Sequence, residues 1–367
     1  MVACKEKYLP SIIKLSTGYL VVEGVIVANN DSTIIKLSRT SNISDTLLPH
    51  PEAGAKVSVA GETNDRYDLT DAGNGNYVSP GLNLDFSKKY QLVINTADGK
   101  EYRSDLVPIK QTPAIDSVAW YQDSSNDVQV NVTTHDPANS TIYYRWDYTE
   151  TWQYRSSFES NFDWINHGAV ARQDGDRIYY CWASDNSSNI LTGTSLKLAK
   201  DVIYKAPITT VKQTSEKIGL FYSILVKQYA LTKEAFEFWQ NLKLTTEQLG
   251  TLFDPQPTQV VSNIHCITNP SEIVVGYVSA STVQSKRIFI NNLDLYNWGY
   301  QYYFNKFNCN GRTITPDSMD FYFLYAQPRL WVLWGTLPPS HDFIVFPTIC
   351  SDCRLHGGTN VKPPYWP

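Results

Sequence analysis

The sequence has no surplus of basic residues: 31 Lys and Arg stand against 36 Asp and Glu, a formal net charge of -5 at pH 7. Nucleic-acid binding relies on a broad basic field that neutralises phosphates, so that class of partner is not expected. Long apolar runs are lacking too. A helix needs about 18 consecutive apolar residues to cross a bilayer, and the best stretch, YLVVEGVIVA, is shorter and contains Glu23. Enzyme signatures are also missing: there is no G-x-S-x-G elbow, no H-E-x-x-H helix, no phosphate-binding loop and no G-x-G-x-x-G turn. The six histidines are scattered. These gaps leave no catalytic residue, metal or cofactor to expect, and they point to a protein that works by binding. Fixed-period repeats and low-complexity tracts are absent as well.

What is abundant is aromatic. Tyr, Phe and Trp make up 13% of the 367 residues, a usage common on β-rich binding surfaces. The length suits two domains. From Tyr19 to Ile109, short strand-like runs are separated by turn residues, as in a β-sandwich. Asp98-Gly99 between two such runs signals a hairpin, because glycine takes positive φ without steric cost. DAGNGN from Asp71 reads as another turn; it lacks the alternating side-chain oxygens of a calcium loop. The order EAGAKVSVAG, DAGNGNYVS, KKYQLVIN resembles the transthyretin-like or carboxypeptidase-regulatory-like sandwiches, and that domain is expected over 19–112. QTPAID, with Pro113, then serves as a linker.

Residues 113–367 are expected to hold an immunoglobulin- or fibronectin-like sandwich with a helical insertion and a cysteine-containing C-terminal lobe. Its strands include DVQVNVTT, the stretch YYRWDYTETWQY and RIYYCWAS. The turn cluster HDPANS lies between the first two; there Asp, Asn and Ser side chains can bond their own backbone. The insertion is placed at about 232–253. Thr232 caps a helix that carries Ala235, Phe236, Trp239 and Leu242 on one face, and a capping box at Thr245 and Gln248 starts a second helix.

Met1-Val2-Ala3-Cys4 matches the last four places of a bacterial lipoprotein signal, although the charged and apolar regions that normally precede them are not in the sequence. Behind Cys4, residues up to 18 show no period and read as an extended tether. Acyl chains on that sulfur would fix the address, at about 0.8 kcal/mol per methylene placed in lipid. Several blocks then carry a family resemblance: GYLVVEGVI, YYRWDYTETWQY, LTKEAFEFWQNLK, LFDPQPTQVVSNIH, EIVVGYVSASTVQSKRIFI and CSDCRLHGGTNVKPPYW. In this order, over nearly the whole chain, they resemble a family of Bacteroidota envelope lipoproteins filed as a domain of unknown function. The resemblance implies a lipid-bearing Cys4, an outer-membrane location and encoding beside a TonB-dependent receptor, with no established catalytic residues. Just after the cysteine the one acidic residue is Glu6, between Lys5 and Lys7, which leaves display at the cell surface and a periplasmic face both open.

Five further cysteines remain, at 181, 266, 309, 350 and 353. In an oxidising compartment an odd number allows two bridges and a spare thiol. Cys350-x-x-Cys353-x-x-His356 has ligand-like spacing, but no second paired motif supplies a fourth ligand. A disulfide from Cys350 or Cys353, with Cys309 as partner, is the stronger expectation, and no metal is expected.

Tyr144, Trp146 and Tyr148 alternate with polar residues, so one strand face is aromatic and is read chiefly as sandwich core. Trp152, Tyr154, Phe158, Phe162 and Trp164 follow in a stretch read as irregular and interleaved with polar residues. They form the candidate exposed platform for a glycan, peptide or protein partner. The expected function is nutrient capture or hand-over for a TonB-dependent receptor at the outer membrane. The alternative is a scaffold subunit of a membrane complex with no small ligand.

Overall fold

The computed structural model describes residues 18–41, 50–63, 65–247, 261–298, 309–326 and 330–367. Period-two patterning builds the first sandwich. In strand Thr33–Arg39, Ile35 and Leu37 point inward and are fully buried, while Ile34 and Lys36 face water. Ten strands follow one another in space: Ile264–Cys266, Glu101–Ser104, Lys89–Asn95, Lys56–Gly61, Arg66–Gly73, Asn76–Ser79, Thr33–Arg39, Leu20–Val27, Ala280–Ser281 and Val107–Lys110. Val107–Lys110 also pairs with Lys89–Asn95, so the path closes on itself. Closure leaves few unpaired edge groups to template aggregation. The Asp98-Gly99 turn joins two of these strands, with Gly99 at φ 85°.

The strands between 264 and 281 belong to this first sandwich, although the sequence reading assigned everything after residue 113 to the second. They run for only two or three residues each, too short for a periodic signal. Val274–Gly276 lies parallel to Leu20–Val27. Its Gly276 approaches so closely that a Cβ would sit 2.2 Å from the Val22 carbonyl oxygen. Only glycine fits there. A buried ion network pins the connecting loop: Glu272 accepts from Tyr102 Oη at 2.6 Å and Lys100 Nζ at 2.8 Å, and Arg39 bridges Glu272 and Glu52.

The second sandwich faces a three-stranded sheet (Ile115–Gln122, Val128–His135, Val202–Val211) against a five-stranded one. In the latter, Tyr143–Arg155 pairs with Tyr180–Asn186, Leu191–Thr194 and Phe221–Leu231, and Val283–Asn291 forms the far edge. Tyr144 and Trp146 are 0% and 1% exposed and fill the core between the sheets with Val130, Val132 and Ile224. Helix α1 (Lys233–Glu247) covers one end of the outer face, where its Trp239 stacks on the Arg145 guanidinium at 4.1 Å. Thr232 Oγ1 accepts from Ala235 N, as an N-cap should. Ala235 and Phe238 are the buried residues of α1, and Phe236 packs on Tyr143, so Phe238 joins the face read in the sequence. Thr245 lies inside α1 with its hydroxyl bonded to the Asn241 and Leu242 carbonyls, and it starts no second helix; 248–253 of the expected insertion lie outside the described residues.

Of the crossings between the sandwiches, those near Thr112 and Thr282 run side by side, with Thr112 N donating to Thr282 Oγ1 at 2.8 Å. Val25, Val27, Tyr229 and Val283 form a small shared core beside them. A third sheet makes the C-terminal lobe: Gly168–Ala171, Phe162–Ile165, Trp331–Leu337, Asp342–Pro347 and Arg312–Ile314. Its core is modest, built on Ile314, Met319, Leu333 and Val345. Disulfides Cys181–Cys353 and Cys309–Cys350 bind this part of the chain. Cys350 thus takes Cys309 as partner, whereas Cys353 reaches back 172 residues to Cys181. Cys266 is the remaining thiol among the described residues, and it is buried.

Candidate functional site

One residue breaks the aromatic stripe of Tyr143–Arg155. Every second side chain from Tyr144 to Tyr154 faces the core, and in that series of rings position 150 is a glutamate. A lone buried carboxylate would be costly, so it must be paired. Glu150 is 4% exposed, accepts from Tyr222 Oη at 2.6 Å and is ion-paired with Lys217 Nζ. Burial, and then the Glu150 charge beside it, push the Tyr222 hydroxyl well above its ordinary value of 10.0. Burial opposes the Lys217 ammonium most, but the bond to and charge of Glu150, with Asp185, together outweigh it and hold it above its ordinary value. Lys217 also lies 5.1 Å over the Trp152 ring and 3.4 Å from Asp185.

This cluster floors an open pocket of about 290 Å³ where the two sheets part, at the small end of ligand-site volumes, which start at about 300 Å³. Tyr148 and Glu150 come from one sheet and Thr209–Val211 from the other. Asp185, Asn186, Ser188, Lys212, Ser215 and Lys217 complete the lining, with Lys217 3.4 Å from Asp185. The lining is polar almost throughout. Among the described residues no group of three or more His, Cys, Asp or Glu is placed to hold a metal ion.

The expected platform does not exist as one surface. Trp152 and Tyr154 are 8% and 6% exposed and continue the core face, because the strand runs on through Glu150 to Arg155. Tyr154 Oη donates to the Cys353 carbonyl beneath the disulfide. Phe158 stacks on Phe346 with ring centres 3.7 Å apart, and Phe162 packs on the lobe core. Trp164 is half-buried there; its Nε1 donates to Asp320 Oδ1 at 2.8 Å and its ring meets Phe343 edge-on. The five residues are thus divided between two cores. Cys4, the expected lipid site, lies outside the described residues.

Sequence reasoning missed the Glu150 pocket. The signal was present as unbroken alternation through Tyr148, Glu150, Trp152 and Tyr154, but Lys217 and Tyr222, which make the carboxylate tolerable, lie 67 and 72 residues away. The lobe offers a different surface: Phe321, Tyr325, Leu330 and Trp334 are 59%, 73%, 56% and 42% exposed.

A family model described as a domain of unknown function (DUF4249) matches residues 5–287, a span that takes in both sandwiches. No curated protein matches the chain. Among solved structures, a cytokine receptor complex aligns over 57% of this chain and 90% of its own, at 11% identity and a TM-score of 0.18. A chitinase, ChiA74 from Bacillus thuringiensis, aligns over 53% of this chain and 29% of its own, at 9% identity and a TM-score of 0.15.

Proposed function

The chain belongs to the DUF4249 family, and from that premise we propose that it is an outer-membrane lipoprotein, anchored through Cys4, that acts by binding. Its role is that of an accessory to a TonB-dependent receptor in nutrient capture or hand-over. The observation that carries the binding reading is the Glu150 cluster: a buried, paired carboxylate set into an aromatic core face where an open pocket begins. A hydrophobe there would pack at least as well, so the buried pair brings no gain in stability, and that supports a role at a site. The two disulfides support a place in an oxidising compartment.

The test has two parts in the native host. Cys4→Ser should abolish fatty-acid labelling and release the chain from the membrane fraction; retention of both would overturn the anchor. Affinity purification of the tagged wild-type chain from outer membranes should bring down a TonB-dependent receptor. A scaffold role is the second reading, favoured by the exposed Phe321, Tyr325 and Trp334 on the lobe. It predicts a partner complex that survives substitutions in the pocket and is lost with Tyr325→Ser and Trp334→Ser.

A further inference from the structure

We infer that the Glu150 pocket takes a neutral, hydroxyl-rich ligand of the mono- or disaccharide class. This rests on the reading that the protein acts by binding at that pocket, and it follows from what the wall still has to offer. Four charged side chains line it, Lys212 and Lys217 against Glu150 and Asp185, so the wall carries no net charge to attract either a cation or an anion.

Apolar ligands find no counterpart. Val211 and Tyr148, the aliphatic and aromatic members of the wall, are 4% and 9% exposed, so neither presents a face for stacking. What remains is hydrogen-bonding capacity of both kinds. Asn186 uses its Oδ1 to accept from Thr149, which leaves its amide N–H groups without a partner among the described residues. Lys212 is 72% exposed and bonds one carboxylate, Asp127, with one of its three N–H groups. Thr209 Oγ1 accepts from Tyr148 Oη, and Ser215 Oγ accepts from Lys217 N, so each hydroxyl keeps a proton to donate. On the acceptor side, Asp185 is 61% exposed and holds Lys217 at 3.4 Å and the Asn186 backbone N–H at 2.9 Å, with lone pairs to spare. A hydroxyl group both donates and accepts, and a ring bearing several of them satisfies such a mixed wall without bringing in uncompensated charge.

The full-length chain, isotope-labelled, should be titrated with glucose, galactose, N-acetylglucosamine and their disaccharides while backbone amide signals are followed by NMR. Citrate and spermidine serve as charged probes of similar size. At least one neutral saccharide should shift the signals of Asp185–Ser188 and Thr209–Lys212, with weak affinity because stacking is missing. The double variant Asn186→Leu, Ser188→Leu changes two exposed side chains and leaves the core intact. It should weaken that binding about tenfold, the loss expected for a pair of hydrogen bonds. Shifts caused by citrate or spermidine alone, silence with every saccharide, or binding that the double variant leaves unchanged would each overturn the ligand class. None of those results touches receptor co-purification or Cys4 labelling. Conversely, failure of the anchor test leaves the saccharide titration free to succeed.

Discussion

The first sandwich and the rest of the molecule solve the same problem with different bonds. In the first, strands from distant parts of the chain close a ring, and a buried ion network built on Glu272, Arg39, Lys100 and Tyr102 holds the returning loop. Its one thiol, Cys266, stays unpaired. The second sandwich and the lobe have open sheets, a polar pocket and a small distal core, and there two disulfides tie the ends together. The lesson is that covalent links appear where non-covalent closure is weakest. A small core cannot offset the entropy of ordering its own chain.

The largest effect should come from removing Cys181–Cys353. It closes a loop with a sequence separation of 172, and the entropy of so long a loop corresponds to about 5 kcal/mol of stability. Cys181→Ser with Cys353→Ser should therefore lower the denaturation midpoint strongly. Hydrogen exchange should quicken in the second sandwich and lobe while amides of Lys56–Gly61 and Lys89–Asn95 keep their protection. Equal loss in both regions would show that the two sandwiches unfold as one unit and break the contrast.

Glu272→Ala is the converse test. It removes the acceptor of Tyr102 and Lys100 and one of the two carboxylates of Arg39, which keeps Glu52, in a site where Glu272 is 10% exposed and Arg39 16%, and the loss of such charge-assisted hydrogen bonds costs about 3 kcal/mol. Exchange should now quicken around Glu101–Ser104 and Ile264–Cys266. Burial works against the Glu272 carboxylate, but Lys100 and Tyr102 bonded to it hold its carboxyl below the ordinary value of 4.5. A group whose folded value is depressed stabilises above its unfolded value and loses that contribution as pH falls through the folded one. This staple should therefore weaken only below about pH 4.5, and urea midpoints of the wild type and Glu272→Ala should converge there.

Asp136 gives a smaller and still more acid-resistant effect in the second sandwich. Burial opposes its charge, yet backbone N–H groups of Ala138, Ser140 and Thr141 and the Ser140 hydroxyl all donate to it, and its carboxyl falls from 3.8 to about 2. By the same sign rule its stabilisation is complete above pH 3.8 and fades toward pH 2. Asp136→Ala should cost about 2 kcal/mol at neutral pH, from donors left without their acceptor. A midpoint unchanged at pH 7 would remove this turn from the list of staples.

That turn was legible in HDPANS because its bonds are local, between residues at most five apart. The same holds for the Thr232 cap, the Asp98-Gly99 hairpin and the inward face of Tyr144, Trp146 and Tyr148, each set by neighbours or by period. Long-range pairing left no such trace. The return of 264–281 to the first sandwich, the bridge from Cys353 to Cys181, and the meeting of Glu150 with Lys217 are decided by topology. The sequence presents Trp152 and Tyr154 as the start of a platform because the stretch to Trp164 looks irregular and is interleaved with polar residues, whereas the strand runs on through Glu150 to Arg155. A buried charge imitates an exposed position until its partner is known.

The smallest effect on stability should come from the lobe surface, where the contrast between the regions bears on function. Tyr325 and Trp334 are 73% and 42% exposed and Trp334 meets Phe346 edge-on, so Tyr325→Ser with Trp334→Ser should lower the unfolding free energy by about 1 kcal/mol, most of it from Trp334. If the lobe is the part that meets a membrane partner, the same double variant should reduce co-purification of that partner while saccharide-induced shifts at the pocket persist. If partner recovery is unchanged, binding must be carried by the sandwiches themselves. The disulfides would then protect a distal core that only supports the tail, and the closed ring of the first sandwich would become the next surface to probe.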